Sequence, residues 1–532
     1  MAGGTWIDQN KVRPGVYINY KSSPATLSTM GERGTVAIAR QLDWGETGKF
    51  YIIEDPSDCA QMGHAITDNE MLFLRQILLG SNRTNGATKV LIWALESYSI
   101  AVKAKGDIGD LHIEAITAGS SGNKISVSVA ENSTNYDVVT SVDGTVKDTQ
   151  TVATIAALTA NAWVSFSGTG DTPAFSVGSA NLTGGGDAAA KATATLGNLV
   201  ATARYVGTYG NRLSVVVTAG EGSSFIVQTL LDGQLVDSQT VTAISGLSAN
   251  AYITWSGTGA LSANPGVDLA GGANGDLTAT AYSNFLSTLE NEKFDVVIYD
   301  GTNVVTQGAF VDFVKRLSNQ EGIKCQTVIS NASSPDNECV INVYPHAVTL
   351  TDGTELAPSK LTWWVGGASA GANAFESLTY AAYPDAIAID PVLTSSQQEA
   401  AINAGKFALI AQFDKIQVLT DINSFTTFAV EKGRQFRKNR VIRTIFGLCN
   451  DIYKTFALYY IGAVHNDEDG RASLKAEILN LMDKYQGNRA LQNVSADDVT
   501  VLQGTDSDAV VIEIFCQPVD SIEKIYINIT IS

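Results

Sequence analysis

GNKISVSV, residues 122–129, recurs as GNRLSVVV, residues 210–217. The match continues in register. SVDGTVKDTQTV (141–152) is followed by LLDGQLVDSQTV (230–241), and LTANAWVSFSGTG (158–170) by LSANAYITWSGTG (247–259). Each copy ends on a glycine-rich turn, NLTGGGD near Asn181 and DLAGGANGD near Asp268. Within a copy, short alternating segments are separated by Asp-Gly and Ser-Gly turns, the pattern of a small antiparallel β-domain. A stacked solenoid needs at least about three repeats, so the two copies are expected to be paired β modules inserted into a host domain.

The host is visible on both sides. VLIWAL (90–95), FDVVIYD (294–300), KCQTVIS (324–330) and CVINVYP (339–345) are short continuous apolar runs. Such runs suit strands buried on both faces of an α/β sheet. NEMLFLRQILLG (69–80) and GAFVDFVKRLSN (308–319) carry helical periodicity between them. After about residue 385, SSQQEAAINAGKFALIAQF opens with a serine cap at Ser395 or Ser396. A long helical stretch is expected over about 432–464 and another over 471–485, before a strand–turn–strand ending. The fold class is therefore α+β multidomain: a discontinuous α/β domain, a β-rich tandem-repeat insertion and an α+β C-terminal domain. The expected division is an N-terminal arm (1–20), a first α/β segment (21–100), β modules (101–187 and 188–276), a second α/β segment (277–385) and a C-terminal domain (386–532).

Composition narrows the function. Asp plus Glu number 54 against 35 Lys plus Arg, a formal net charge of −19. Phosphate binding needs a basic surface, so nucleic acid is not the expected partner. Five scattered cysteines form no CxxC pair, which fits a reducing compartment during folding. The N-terminus, MAGGTWIDQNKVRPG, lacks the apolar core of a signal peptide. No run of about 18 apolar residues is present, so no membrane insertion is expected.

Three motifs invite a chemical reading. GASAG (367–371) matches the G-x-S-x-G nucleophile elbow, after TWWVG, which reads as a strand. A hydrolase built on Ser369 would need a later histidine, and only His465 follows, inside HNDEDG. A Gly/Ala loop is the simpler reading. HNDEDG in turn resembles the start of a calcium loop but has His465 at its first position and Ala476 at its twelfth, which leaves a polar turn between helices. The four histidines show no ligand spacing and no phosphate-binding fingerprint is present. Neither cofactor nor metal is expected. EKGRQFRKNRVIR (431–443) concentrates Lys432, Arg434, Arg437, Lys438, Arg440 and Arg443 in an acidic chain. It reads either as a solvated helix face or as an electrostatic contact with a neighbouring copy or partner protein.

Both termini look like unpaired strands. Near the start, NKVRPGVYINY (10–20) is extended, because Pro14 keeps Arg13 out of the helical region and Val16, Ile18 and Tyr20 then alternate. At the other end, SIEKIYINITIS (521–532) alternates Ile525, Ile527, Ile529 and Ile531 with polar or aromatic residues. Nothing blunts this edge, so an acceptor is required.

These two ends resemble those of the contractile-tail sheath proteins of myophages and R-type bacteriocins: GGTW…QNKVRPGVYINY at the start and VDSIEKIYINITIS at the finish. ARYVGTYGNRLSVVV (203–217) is similar to the family's glycine–asparagine strand motif. FDVVIYDG, WWVGGASAGANAFESLTY, NRVIRTI and YIGAVHNDEDGR sit where family members carry such segments, which makes GASAG a family loop. The first β module, 101–187, departs from the family pattern. The resemblance implies a structural, non-enzymatic subunit of a contractile sheath. Neighbours would exchange strands through Val16, Tyr17, Ile18 and Tyr20 at one end and Ile525, Ile527, Ile529 and Ile531 at the other. Arg434, Arg437, Lys438, Arg440 and Arg443 would then lie at an intersubunit or tube contact. Implied partners are further copies of the chain, an inner tail tube protein, and baseplate and tail terminator proteins, in a particle assembled in the host bacterial cytoplasm. A β-rich surface or adhesin-type protein is the alternative.

Overall fold

A computed structural model describes the backbone of Gly3–Gly4 and Val16–Tyr17 and residues 31–169 and 173–531. Its centre is a seven-stranded sheet in the order Lys406–Phe407, Val340–Val343, Gln326–Ser330, Val296–Ile298, Thr35–Arg40, Lys89–Ala94, Phe50–Ile53. All neighbours are parallel except the last pair. The continuous apolar runs are explained by cover on both faces. Val36, Ile38, Val90 and Ile92 enter a core with the helices Leu72–Leu79 and Thr362–Gly371. Ala37, Ala39, Leu91 and Trp93 point the other way, toward Ala281–Leu289 and Val304–Arg316. A strand with both faces buried cannot show a polar alternate, which is why periodicity alone is silent there.

The chain leaves this sheet after Leu95 and returns beside its exit. Tyr98 N donates to Asp276 O at 2.9 Å, and Thr278 N to Glu96 O at 3.0 Å. Between these points lie two sandwiches, each pairing a four-stranded with a three-stranded sheet. Their internal bonds repeat. Asn161 Nδ2 donates to Thr140 Oγ1 at 3.0 Å and Asp148 at 2.9 Å, while Asn250 Nδ2 donates to Thr229 Oγ1 at 3.0 Å and Asp237 at 2.9 Å. The Asp-Gly turns place both central residues at positive φ, 48° and 74° at Asp143–Gly144, 48° and 77° at Asp232–Gly233, as a type I′ hairpin requires. The second module docks on the α/β domain through Trp44, packed against Tyr205 and Tyr209. Tyr209 Oη donates to Gly63 O at 2.5 Å.

Several expectations need correction. GASAG is neither strand end nor loop: Thr362–Gly371 is one helix, buried at every residue from Thr362 to Ala370. Its glycines serve close packing. A Cβ on Gly367 would lie 2.0 Å from Ile77 O, and one on Gly371 2.2 Å from Gly86 O. Ser369 is 0% exposed and its Oγ has no partner among the described residues, so it is no accessible nucleophile. The basic stretch does not run as one helix from 432. A 3-10 turn, Arg434–Arg437, precedes the helix Asn439–Tyr459, because Lys438 is held extended by bridging Ile422 and Asn439 N donates to Asp421 O at 3.1 Å. The next helix spans Glu468–Gly487. Asp467 of HNDEDG caps it by accepting from Gly470 N at 2.8 Å. The helix Ser395–Asn403 is capped by Thr394 with Gln397, not by Ser395 or Ser396.

Candidate assembly interface

The C-terminal region is built on the helices Asn439–Tyr459 and Glu468–Gly487. They enclose a small core of Leu448, Ile478, Leu481, Met482 and Tyr485 with the hairpin Val499–Gln503/Val510–Ile514. That hairpin is a two-stranded sheet, and among the described residues neither outer edge carries a third strand. Two-stranded sheets are marginal alone, and Leu502, Val511 and Phe515 remain 54%, 49% and 60% exposed.

Both chain ends are rooted beside this unit. Gly31 N donates to Asp451 Oδ1 at 2.9 Å, and Tyr485 Oη to Asp451 Oδ2 at 2.8 Å. Burial pushes the Asp451 carboxyl above its ordinary value, against these two donors. Of the N-terminal candidates, Val16 and Tyr17 form a short strand parallel to Gly3–Gly4. Ile18 and Tyr20 lie outside the described residues. The C-terminal segment is fixed by Val519 N donating to Ala490 O at 2.9 Å and Gln492 N to Gln517 O at 3.0 Å. Glu523 then accepts from Thr379 Oγ1 at 2.8 Å and Thr420 Oγ1 at 3.3 Å, and pairs with Lys438.

Beyond Glu523 the chain makes no strand among the described residues. Ile525, Ile527, Ile529 and Ile531 are 76%, 75%, 83% and 92% exposed. The alternation predicts a half-buried strand, yet here both faces meet water, because no sheet edge of the same chain accepts it.

The basic candidates divide. Arg443 is 1% exposed and donates from Nη2 to Asp421 Oδ2 at 2.5 Å, inside its own chain. It cannot form an intersubunit or tube contact, which corrects that expectation; neither is it part of a solvated face. Asp421 also accepts from Leu378 N at 3.0 Å and Asn439 Nδ2 at 2.9 Å. Lys438 is occupied by Glu523. Arg434 is exposed and Arg440 half-buried. Arg437 is 5% exposed, and neither its Nε nor its Nη2 has a partner among the described residues. The signal for Asp421 was absent from the sequence, since nothing marks an aspartate 22 residues upstream as the partner of Arg443.

Among the described residues no group of histidine, cysteine, aspartate and glutamate side chains is arranged to hold a metal, and no helix is long and apolar enough to cross a membrane.

Comparison with known proteins bears on the whole chain. The phage tail sheath protein central domain matches residues 275–424, and the phage tail sheath C-terminal domain matches 431–532. The phage tail sheath protein beta-sandwich domain matches twice, over 94–187 and 186–274. The phage-like element PBSX protein XkdK of Bacillus subtilis is 29% identical over 550 residues, covering 100% of both chains. The sheath tail protein of Desulfitobacterium hafniense is similar in structure, with a TM-score of 0.71 and 33% identity over 96% of this chain and 99% of that one. The sheath tail protein Lin1278 of Listeria innocua gives a TM-score of 0.64 at 26% identity, over 94% and 95%. Multidomain α/β architecture, β-sandwich domain and full-length similarity all converge on one assignment: the chain belongs to the phage tail sheath protein family.

Proposed function

We propose that the chain is the subunit of a contractile sheath that polymerises helically around an inner tube and shortens to drive that tube through a target cell envelope. The observation that carries this reading is the C-terminal segment: an alternating apolar sequence, anchored at Glu523 and then exposed. An exposed strand of this kind adds to a sheet edge by main-chain hydrogen bonds, with alternate side chains setting register. The open hairpin Val499–Gln503/Val510–Ile514 offers such an edge. A donor strand on one surface and its acceptor on another make a heterologous contact, and repetition of that contact yields an open helical array.

In this reading Ile525, Ile527, Ile529 and Ile531 link one copy to the next, and Val16, Tyr17, Ile18 and Tyr20 do so at the other end. The exchanged strands tether neighbours while the bodies rotate and slide, a rigid-body transition from a metastable state. The N-terminal arm comprises 1–20, the α/β domain 21–100 and 277–385, the β modules 101–187 and 188–276, and the assembly domain 386–532. The tandem modules form an insertion that leaves the α/β sheet after Leu95 and returns beside its exit. Further partners are the inner tube, baseplate and tail terminator proteins, without nucleic acid or membrane insertion. Arg434, Arg437, Lys438 and Arg440 remain candidates for contact with a neighbour or the tube.

Electron microscopy of the purified chain, alone and with its cognate tube protein, tests the reading. Hollow helical tubes are expected. Monodisperse particles under both conditions would overturn it.

A further inference from the structure

Beside the root of the C-terminal segment lies a cleft of about 400 Å3. Arg434, Arg437, Lys438 and Lys524 line it, with Glu523 as the one acidic residue among its lining. Glu523 is already taken up by Lys438, Thr379 and Thr420. Among the described residues Arg437 is therefore left without an anion. It is only 5% exposed, with Nε and Nη2 both free of partners among the described residues. Burial, reinforced by neighbouring Arg434, lowers the pKa of its guanidinium. A buried cation without a partner is a costly state that an anion relieves.

We propose that this cleft is a carboxylate-binding site, filled on assembly by an acidic side chain of a second copy of the chain, with Arg437 as its central donor. The site rests on the sheath reading and adds to it a defined polar contact. Two features favour a second copy as the source. Acidic residues outnumber basic ones 54 to 35, so copies present carboxylates to one another. The cleft also adjoins Glu523, where the segment assigned to subunit linkage leaves its own chain. A guanidinium is well matched to a carboxylate as a charged hydrogen-bond partner.

The full-length chain and its Arg437→Gln variant are compared for unfolding temperature at low concentration and for the concentration at which tubes form. Loss of an unpaired buried charge is expected to leave the unfolding temperature equal or higher. Assembly is expected to require about thirtyfold more protein, the low end of what truncating one partner of a buried charge pair costs. A lowered unfolding temperature with unchanged assembly would mean that Arg437 serves its own chain and would overturn the proposal. Unchanged assembly at unchanged stability would overturn it too. Should Arg437→Gln fail to fold, Arg437→Lys is assembled and treated with a carbodiimide, and linked peptides are mapped. A link from position 437 to an aspartate or glutamate of a neighbouring copy is expected. A link to Glu523 of the same chain, to another protein, or to nothing would overturn the assignment. Failure of the unmodified chain to assemble would instead overturn the sheath reading beneath it.

Discussion

Asp421 shows how much one buried carboxylate organises. It joins Leu378 to Asn439 and Arg443, two residues one turn apart on the helix Asn439–Tyr459. Breaking one partner of a buried pair costs about 3–5 kcal/mol. Asp421→Ala is therefore expected to destabilise the chain by at least that much in urea unfolding, and by more than Arg443→Met, because it also strands Leu378 N and Asn439 Nδ2. A second residue couples stability to pH. His64 is 4% exposed and lies between Asp43 Oδ1 at 2.7 Å and Asp68 Oδ2 at 3.2 Å, edge-on to Tyr209 of the second module. Burial opposes its charge, but the bonds to Asp43 and Asp68 prevail and raise its pKa above 6.5. A group raised on folding contributes stability that is complete below its unfolded value and lost as pH climbs through the folded value. Hydrogen exchange at the Trp44–Tyr209 contact should therefore quicken as pH rises past neutrality, after correction for intrinsic rates, and His64→Gln should remove that dependence. At this scale the sequence was poorly legible. The basic residues of 431–443 resemble a solvated face because charge spacing carries no record of an acidic partner in a distant segment.

At the scale of elements, legibility followed the pattern each environment imposes. The two sandwiches could be read because half-buried strands alternate and Asp-Gly turns punctuate them. The central strands could be read as continuous apolar runs. The helix Thr362–Gly371 could not: all its faces are buried, so no amphipathic stripe exists, and its glycines, placed for contact with Ile77 and Gly86, mimic a catalytic turn. The modules also predict their own energetics. Asn161 Oδ1 accepts from Trp163 N and Val164 N, and Asn250 Oδ1 from Tyr252 N and Ile253 N. Leaving buried donors unpaired costs about 1–3 kcal/mol. Asn161→Ala and Asn250→Ala should each reduce hydrogen-exchange protection by that amount within their own module. The double variant should show both losses independently. Coupled losses would mean that the modules unfold together.

For the whole molecule, the decisive feature is what the chain leaves unsatisfied: an alternating apolar segment in water and an open hairpin edge. Assembly would bury both. Single side chains of this size contribute about 1.5–3 kcal/mol when fully buried, so Ile527→Asp should weaken tube formation while leaving the unfolding temperature of the dispersed chain unchanged. The alternation of the last segment was legible, but no strand forms there among the described residues, and a sequence specifies an edge without naming the chain that covers it. The most direct measurement compares the full-length chain with a form truncated after Lys524, which keeps the Glu523 anchor and removes only the exposed segment. Electron microscopy and thermal unfolding would be read together. Equal unfolding temperatures are expected, with tubes from the full-length chain and none from the truncated one. Tubes from both would contradict a linking role for the last strand.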